Sequence, residues 1–324
     1  MKTIKNMTLG VLVMLTALVP LSAHAEEGGS GHYMPGGTAS FIDALPGKPG
    51  LGVANFFNYY DGSASGTKQM PRGGLITGNL DATSYADTVV VLYQTPLKLL
   101  GGDYAVGLAI PYVWLEVKGE VQVTGPLGNT VTRNKTDKEN GIGDILLYPF
   151  MISWTALNRD LKYDVRLGIY APTGDYDKGN LANVGKNYWT FEPAASISYI
   201  SSKIGLEVSA FAGLDFNTEN DDTDYQSGTQ LHLDVTVAQH LPLFGGTIGV
   251  GANFFYYQQL EGDSGSGASL GDFKGRTIGI GPVLSYVTKV WGNDLAAELK
   301  WLPEIDVGNR LEGDSIWFKL AMAF

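Results

Sequence analysis

From about residue 50 onward the sequence keeps returning to one device: segments of about ten residues with strict alternation of apolar and small or polar side chains, separated by turn residues. Tyr104, Val106, Leu108, Ile110, Tyr112 and Trp114 take one set of positions, and Ala105, Gly107, Ala109 and Pro111 the other. Tyr163, Val165, Leu167 and Ile169 alternate with Asp164, Arg166, Gly168 and Tyr170, and the last stretch sets Ile316, Phe318, Leu320, Met322 and Phe324 on one side. A period of two is that of a β-strand with two different faces, and it excludes helices as the main element.

A soluble half-buried sheet alternates as well, but three details favour a transmembrane barrel. The apolar faces begin or finish on Tyr, Trp or Phe, as the aromatic girdles of a membrane barrel require. The opposite faces mix Gly, Ala and Ser with charges of both signs, which suits a polar lumen. Short connections near 99–102, 156–160, 201–203, 241–246 and 291–294 alternate with long ones near 61–82, 119–140, 172–187, 218–229, 260–274 and 307–313. Short periplasmic turns and longer outer loops are the topology of outer-membrane barrels. The spacing predicts an all-β fold, a transmembrane antiparallel β-barrel of about 12 strands, at 50–60, 84–96, 103–118, 141–153, 161–172, 188–200, 204–217, 229–240, 246–259, 275–289, 294–306 and 314–324. The last strand must pair with the first, because an open edge in lipid leaves backbone groups unsatisfied.

Charged residues are only 17% of the 324, against roughly 25% in an average soluble protein. The formal charge of −11 and the lack of any Lys/Arg cluster argue against nucleic acid as a partner. Absence of cysteine excludes disulfides and thiolate chemistry. At the amino terminus, Lys2 and Lys5 precede an apolar run from Leu9 to Leu21 and then Ala23-His24-Ala25, the pattern of a cleaved signal peptide spanning 1–25. Residues 26–48 are Gly- and Pro-rich and read as a periplasmic leader or lumen plug, with 49–324 forming the barrel.

The stretch "GGSGHYMPGGTASFIDALPGKPGLGVANFFNYYDG" (28–62), with "GIGDILLYPF" (141–150) and "APTGDYD" (171–177), resembles the outer-membrane transporter family associated with meta-pathway phenol degradation. The resemblance implies an outer-membrane barrel that passes small hydrophobic or aromatic compounds, and it carries over no binding residues.

The alternation itself supplies site candidates. Asp144, Asp164, Arg166, Glu192, Glu207, Asp215, His232, Asp234, Glu298, Lys300 and Lys319 point inward, with Phe211, Phe255 and Tyr257 on the same side. They form either a channel lining, with aromatics stacking on ring-shaped solutes, or a paired ionic network filling the barrel. Tyr33, Met34, Phe41, Ile42 and Leu45 give the leader apolar substance to pack as a plug. Pro111, Pro149 and Pro282 each remove a ladder hydrogen bond and mark candidate wall irregularities, so a path could run along the lumen or sideways through the wall. The acidic loop 217–228 lacks the ligand spacing of a calcium loop, and His232 and His240 lie too far apart along one strand to share a metal. No cofactor is expected.

A lipid hydrolase is the rival among enzymes. His232 and Asp234 share a face two residues apart, but no serine stands in a nucleophile motif. A structural or adhesive barrel without solute flux is the third class. The expected partners are outer-membrane lipids, a small hydrophobic or aromatic solute, and the barrel-assembly machinery through the strand ending in Phe324.

Overall fold

A computed structural model describes residues 29–45, 47–64, 70–72, 75–124, 130–269 and 274–324; the segment 1–25, expected to be a signal peptide, lies outside them. Among the described residues, alternation has become fourteen strands in one sheet. They are β1 (Gly50–Ala64), β2 (Met70–Arg72), β3 (Leu75–Leu99), β4 (Gly102–Thr124), β5 (Thr130–Ile142), β6 (Ile145–Ala156) and β7 (Leu161–Ala171) in the first half of the chain. The second half adds β8 (Thr190–Ile200), β9 (Leu206–Asn217), β10 (Gln230–Leu243), β11 (Gly246–Gln259), β12 (Arg276–Val290), β13 (Asn293–Gly308) and β14 (Glu312–Ala323). Every pairing is antiparallel. β1 bonds to β14 on one edge and to β3 on the other, which closes the sheet on itself. With β2 and β5 set apart as extensions outside that circle, twelve strands make the wall.

The two faces part as period two demands. On β14, Ile316, Phe318 and Leu320 are exposed while Trp317 and Lys319 are buried; on β7, Tyr163 and Val165 are exposed while Asp164 and Arg166 are buried. Apolar side chains cover the outside and the charges face in, the reverse of a soluble protein and what hydrocarbon surroundings require.

Two expected loops contain strands. Among the described residues, those of 61–82 belong to β1, β2 and β3, and those of 119–140 to β4 and β5, which pair from Tyr112↔Ile142 to Thr124↔Thr130. The strand expected at 141–153 is broken: β4 pairs with β6 up to Ala109 and with β5 from Tyr112, and Gly143 and Asp144 lie between the two partners. The anticipated prolines sit at such discontinuities. Pro111 stands where β4 changes partner, Pro149 lies where β6 slips register against both neighbours, and Pro282 lies in a stretch of β12 unpaired with β13.

Candidate functional site

Residues 29–45 run inside the barrel as a strap fastened by charge. Asp234 on β10 accepts hydrogen bonds from the Tyr33 hydroxyl (2.7 Å), the Gly36 and Thr38 amides (3.3 and 3.1 Å) and the Thr38 hydroxyl (3.0 Å). Across the lumen, Lys300 on β13 donates to the carbonyls of Gly36 (3.2 Å) and Thr38 (2.8 Å). Glu207 takes the Phe41 amide (2.8 Å), while Lys319 meets both oxygens of Asp43 at 2.8 and 2.9 Å. These are hydrogen bonds with one ionised partner, the stronger kind. Burial and then the Asp234 carboxylate push the Tyr33 phenol well above the ordinary tyrosine value, so it stays a donor.

The strap also packs. Tyr33 stacks on His232 at 3.6 Å between ring centroids and on Phe211 at 6.2 Å, and joins a buried cluster with Ala39, Ala194 and Tyr257. Met34 lies against Phe255, Leu302 and Trp317, and Leu45 against Ala105 and Met151. Phe41 meets the edge of His240, and Ile42 lines the remaining space. Gly36, with φ of 82°, passes so near Leu302 that a Cβ would stand 2.2 Å from it.

Asp144, in the wall break, is a second junction. One oxygen accepts the Gly174 amide (2.9 Å); the other accepts the Lys186 amide (2.7 Å) and His32 Nε2 (2.8 Å). One carboxylate thus ties both ends of the 172–189 loop to the strap. That loop turns inward: Leu181 and Ala182 are buried with Leu80, Val117, Val121 and Leu311 at the long-loop end of the barrel.

The two sides of the lumen differ in chemistry. β7 to β10, with β13 and β14, present the ionised groups. β3 turns Ala82, Ser84, Ala86, Thr88, Val90 and Leu92 inward, and β4 Ala109, Pro111, Val113 and Leu115. A cavity of about 720 Å³ lies between this side and the strap and reaches Gly143 and Asp144.

All fourteen inward candidates are buried. Asp164 and Arg166 pair through two bonds of 2.7 and 2.8 Å, with the guanidinium 5.4 Å from the Phe211 ring. Glu298 lies 3.5 Å from Lys300 and 3.4 Å from Lys319, and Arg310 stands over Tyr257 at 4.1 Å. The suggested His232–Asp234 pairing does not form: Asp234 serves the strap, whereas His232 Nε2 faces Glu192 (3.1 Å) and Asp215 (3.5 Å) on the neighbouring strands. A hydroxyl–imidazole–carboxylate string does occur, Thr190–His32–Asp144, but Thr190 is fully buried and gives its proton to Asn217. Such a hydroxyl is no accessible nucleophile. His32, Lys186 and the apolar side of β3 and β4 escaped sequence reasoning; the last was legible as the small residues of "DATSYADTVVVL".

No curated protein matches this sequence. The COG4313 outer membrane channel from Pseudomonas putida F1 is similar in structure, with 15% identity over 88% of this chain and 98% of that one and a TM-score of 0.57, a likeness of fold. The β domain of the Bordetella autotransporter BrkA (14% identity, 86% and 100% covered) and the transport unit of the autotransporter AIDA-I from Escherichia coli (11%, 88% and 93%) both give a TM-score of 0.45. The family model described as "Putative MetA-pathway of phenol degradation" matches residues 62–320. An outer-membrane channel fold and a match over most of the barrel agree: the chain belongs to that phenol-degradation family.

Proposed function

We propose that this outer-membrane barrel is a diffusion channel for small hydrophobic and aromatic compounds, with residues 29–45 as its lumen plug. The apolar wall of β3 and β4 carries this reading. It runs along a cavity of about 720 Å³ whose other side is formed by the strap and by charged side chains such as Arg166, Glu192 and Glu304. Diffusion down a gradient needs no catalytic group, only a surface that tolerates desolvated apolar solutes. The cavity reaches the break between β5 and β6, where Gly143 and Asp144 replace ladder residues and the 172–189 loop covers the gap. Releasing the loop there would open a way sideways into the membrane. The ionic contacts of Glu207, Asp234, Lys300 and Lys319 are the plug's fastenings on this reading. Assembly through the β14 strand, closed by the Phe324 amide on Leu51 (2.8 Å), belongs to the same proposal.

The test is flux. In proteoliposomes, aromatic acids and phenols should enter faster than sugars of similar size, and deleting 29–45 should raise single-channel conductance. Equal rates for sugars and aromatics would refute the solute class. Unchanged conductance after the deletion would refute the plug. No flux of any solute, with or without the strap, would leave a structural barrel.

A further inference from the structure

At one end of the barrel, the five short connections between strands share a feature that neither the wall nor the lumen requires. Among the described residues, the large apolar side chains more than 60% exposed are Leu97, Leu100, Leu157, Ile204, Phe244 and Trp291. All six lie in or beside those connections, and none at the long-loop end. Phe244 and Trp291 reach 87% and 91%, more than any side chain of the wall. We propose that these turns seat the barrel in the headgroup layer of the phospholipid leaflet at this end, with the apolar tips as its anchors.

Turn chemistry alone does not call for these residues. Leu100-Gly101, Phe244-Gly245 and Trp291-Gly292 each hold two successive residues at positive φ, 50° and 78°, 51° and 75°, and 51° and 84°. A two-residue hairpin turn of that form favours Asn or Asp in first place, because bulky side chains resist the left-handed region. Leu, Phe and Trp stand there at a conformational cost that contact with water does not offset. Burial in a lipid interface does.

Lipid is the occupant because the tips continue the lipid-facing wall. Trp154, cross-strand partner of the outward Tyr163, donates from Nε1 to the Leu100 carbonyl (3.1 Å), and the Tyr286 hydroxyl donates to the Phe244 carbonyl (2.9 Å). Tyr and Trp of such a belt sit at headgroup level. The interfacial layer outside the hydrocarbon is about 5–7 Å deep on each side. Tips hydrogen-bonded to the belt therefore stand within that layer. Four of the five turns add an exposed base within two residues of the tip, Lys98, Arg159, Lys203 and Lys289, in a chain whose net charge is −11. Apolar anchors with cations beside them match the acyl boundary and the phosphates of a phospholipid interface. The cavity reaches the same rim, where Gly292 and Asn293 line it next to Trp291. On the channel reading proposed above, a solute leaving there enters the headgroup layer before it meets bulk water.

The absence of cysteine makes the test direct. Single-cysteine variants of the full-length barrel, Phe244→Cys, Trp291→Cys and, in the 218–229 loop, Asp221→Cys, are spin-labelled and reconstituted in vesicles of phosphatidylethanolamine and phosphatidylglycerol. Collision with a water-soluble nickel chelate should be at least about threefold lower at 244 and 291 than at 221, because the interface excludes the chelate. Equal collision at all three positions would put the tips in water and overturn the proposal. Dipolar broadening at 244 or 291 that vanishes on dilution with unlabelled protein would assign the tips to a second copy and overturn it as well. Combining Leu100→Asn, Phe244→Asn and Trp291→Asn removes the anchors while installing the residue these turns favour, so folding is retained. A label at Ile204→Cys should then collide with the chelate about twofold more often than on the wild-type background. An unchanged rate would show that the belt alone sets the depth and would overturn the anchoring. No solute enters these measurements, so their failure leaves the channel reading standing, and a failure of flux leaves the seat standing.

Discussion

At the scale of single residues, the lumen is held by carboxylates that each accept several bonds, so isosteric changes should be informative. Asp144→Asn replaces one acceptor oxygen by an amide that faces N–H donors already in place, those of Gly174 on one side or of Lys186 and His32 on the other. Loss of a charge-assisted bond of this kind costs about 1.5–3 kcal/mol. The cost should fall on docking of the 172–189 loop rather than on the barrel. Limited trypsinolysis checks it: cleavage after Lys178 and Lys186 should speed up while the barrel fragment stays folded. Tyr33 makes a pH prediction. Its folded value is raised above the free value of about 10, so strap docking is at full strength below pH 10 and weakens as pH rises beyond it. Conductance should climb in the wild type as pH rises from about 10 to about 11. In Tyr33→Phe that component should vanish, and a wild-type trace flat over the range would contradict it.

Among the elements, legibility followed the membrane. Strands inside hydrocarbon must alternate, so their existence and their inward faces could be read directly, and all fourteen inward candidates are buried. The β4–β5 hairpin could not be read this way, because its polar sequence "TRNKTDKEN" carries no lipid-facing stripe. It is held instead by the ladder and by ion pairs on and across its strands, Glu116 with Lys118 (2.7 Å) and Lys138 (2.5 Å), and Lys135 with Asp137 (2.7 Å). The three-strand meeting of Glu192, Asp215 and His232 was hidden for another reason: register between strands is a tertiary fact, absent from any single segment. The apolar side of β3 and β4 gives the prediction at this scale. Ala86→Asp and Val113→Asp each place an unpaired charge against the cavity. Flux of uncharged aromatics should fall in both, with folding retained because the site faces a space that water can enter. Undiminished flux would remove the apolar side from the path.

For the whole molecule, everything rests on one inversion, hydrocarbon outside and charge within, and a charge moved from one face to the other tests it. Val237 on β10 is exposed and flanked by buried Thr236 and Ala238. On the lipid face near the bilayer midplane, an Arg costs about 2–4 kcal/mol. Val237→Arg should lose that amount in reversible unfolding from lipid vesicles, and the loss should shrink in detergent, where water reaches the mutated face. Leu241→Arg, on the same face four residues nearer the β10–β11 turn, should cost less, because depth sets the penalty. Equal costs at both positions would mean that no depth gradient, and hence no bilayer, acts on this face. A graded cost would place β10 across the membrane with its turn end near an interface, and the closed ladder would carry that placement around the other eleven strands.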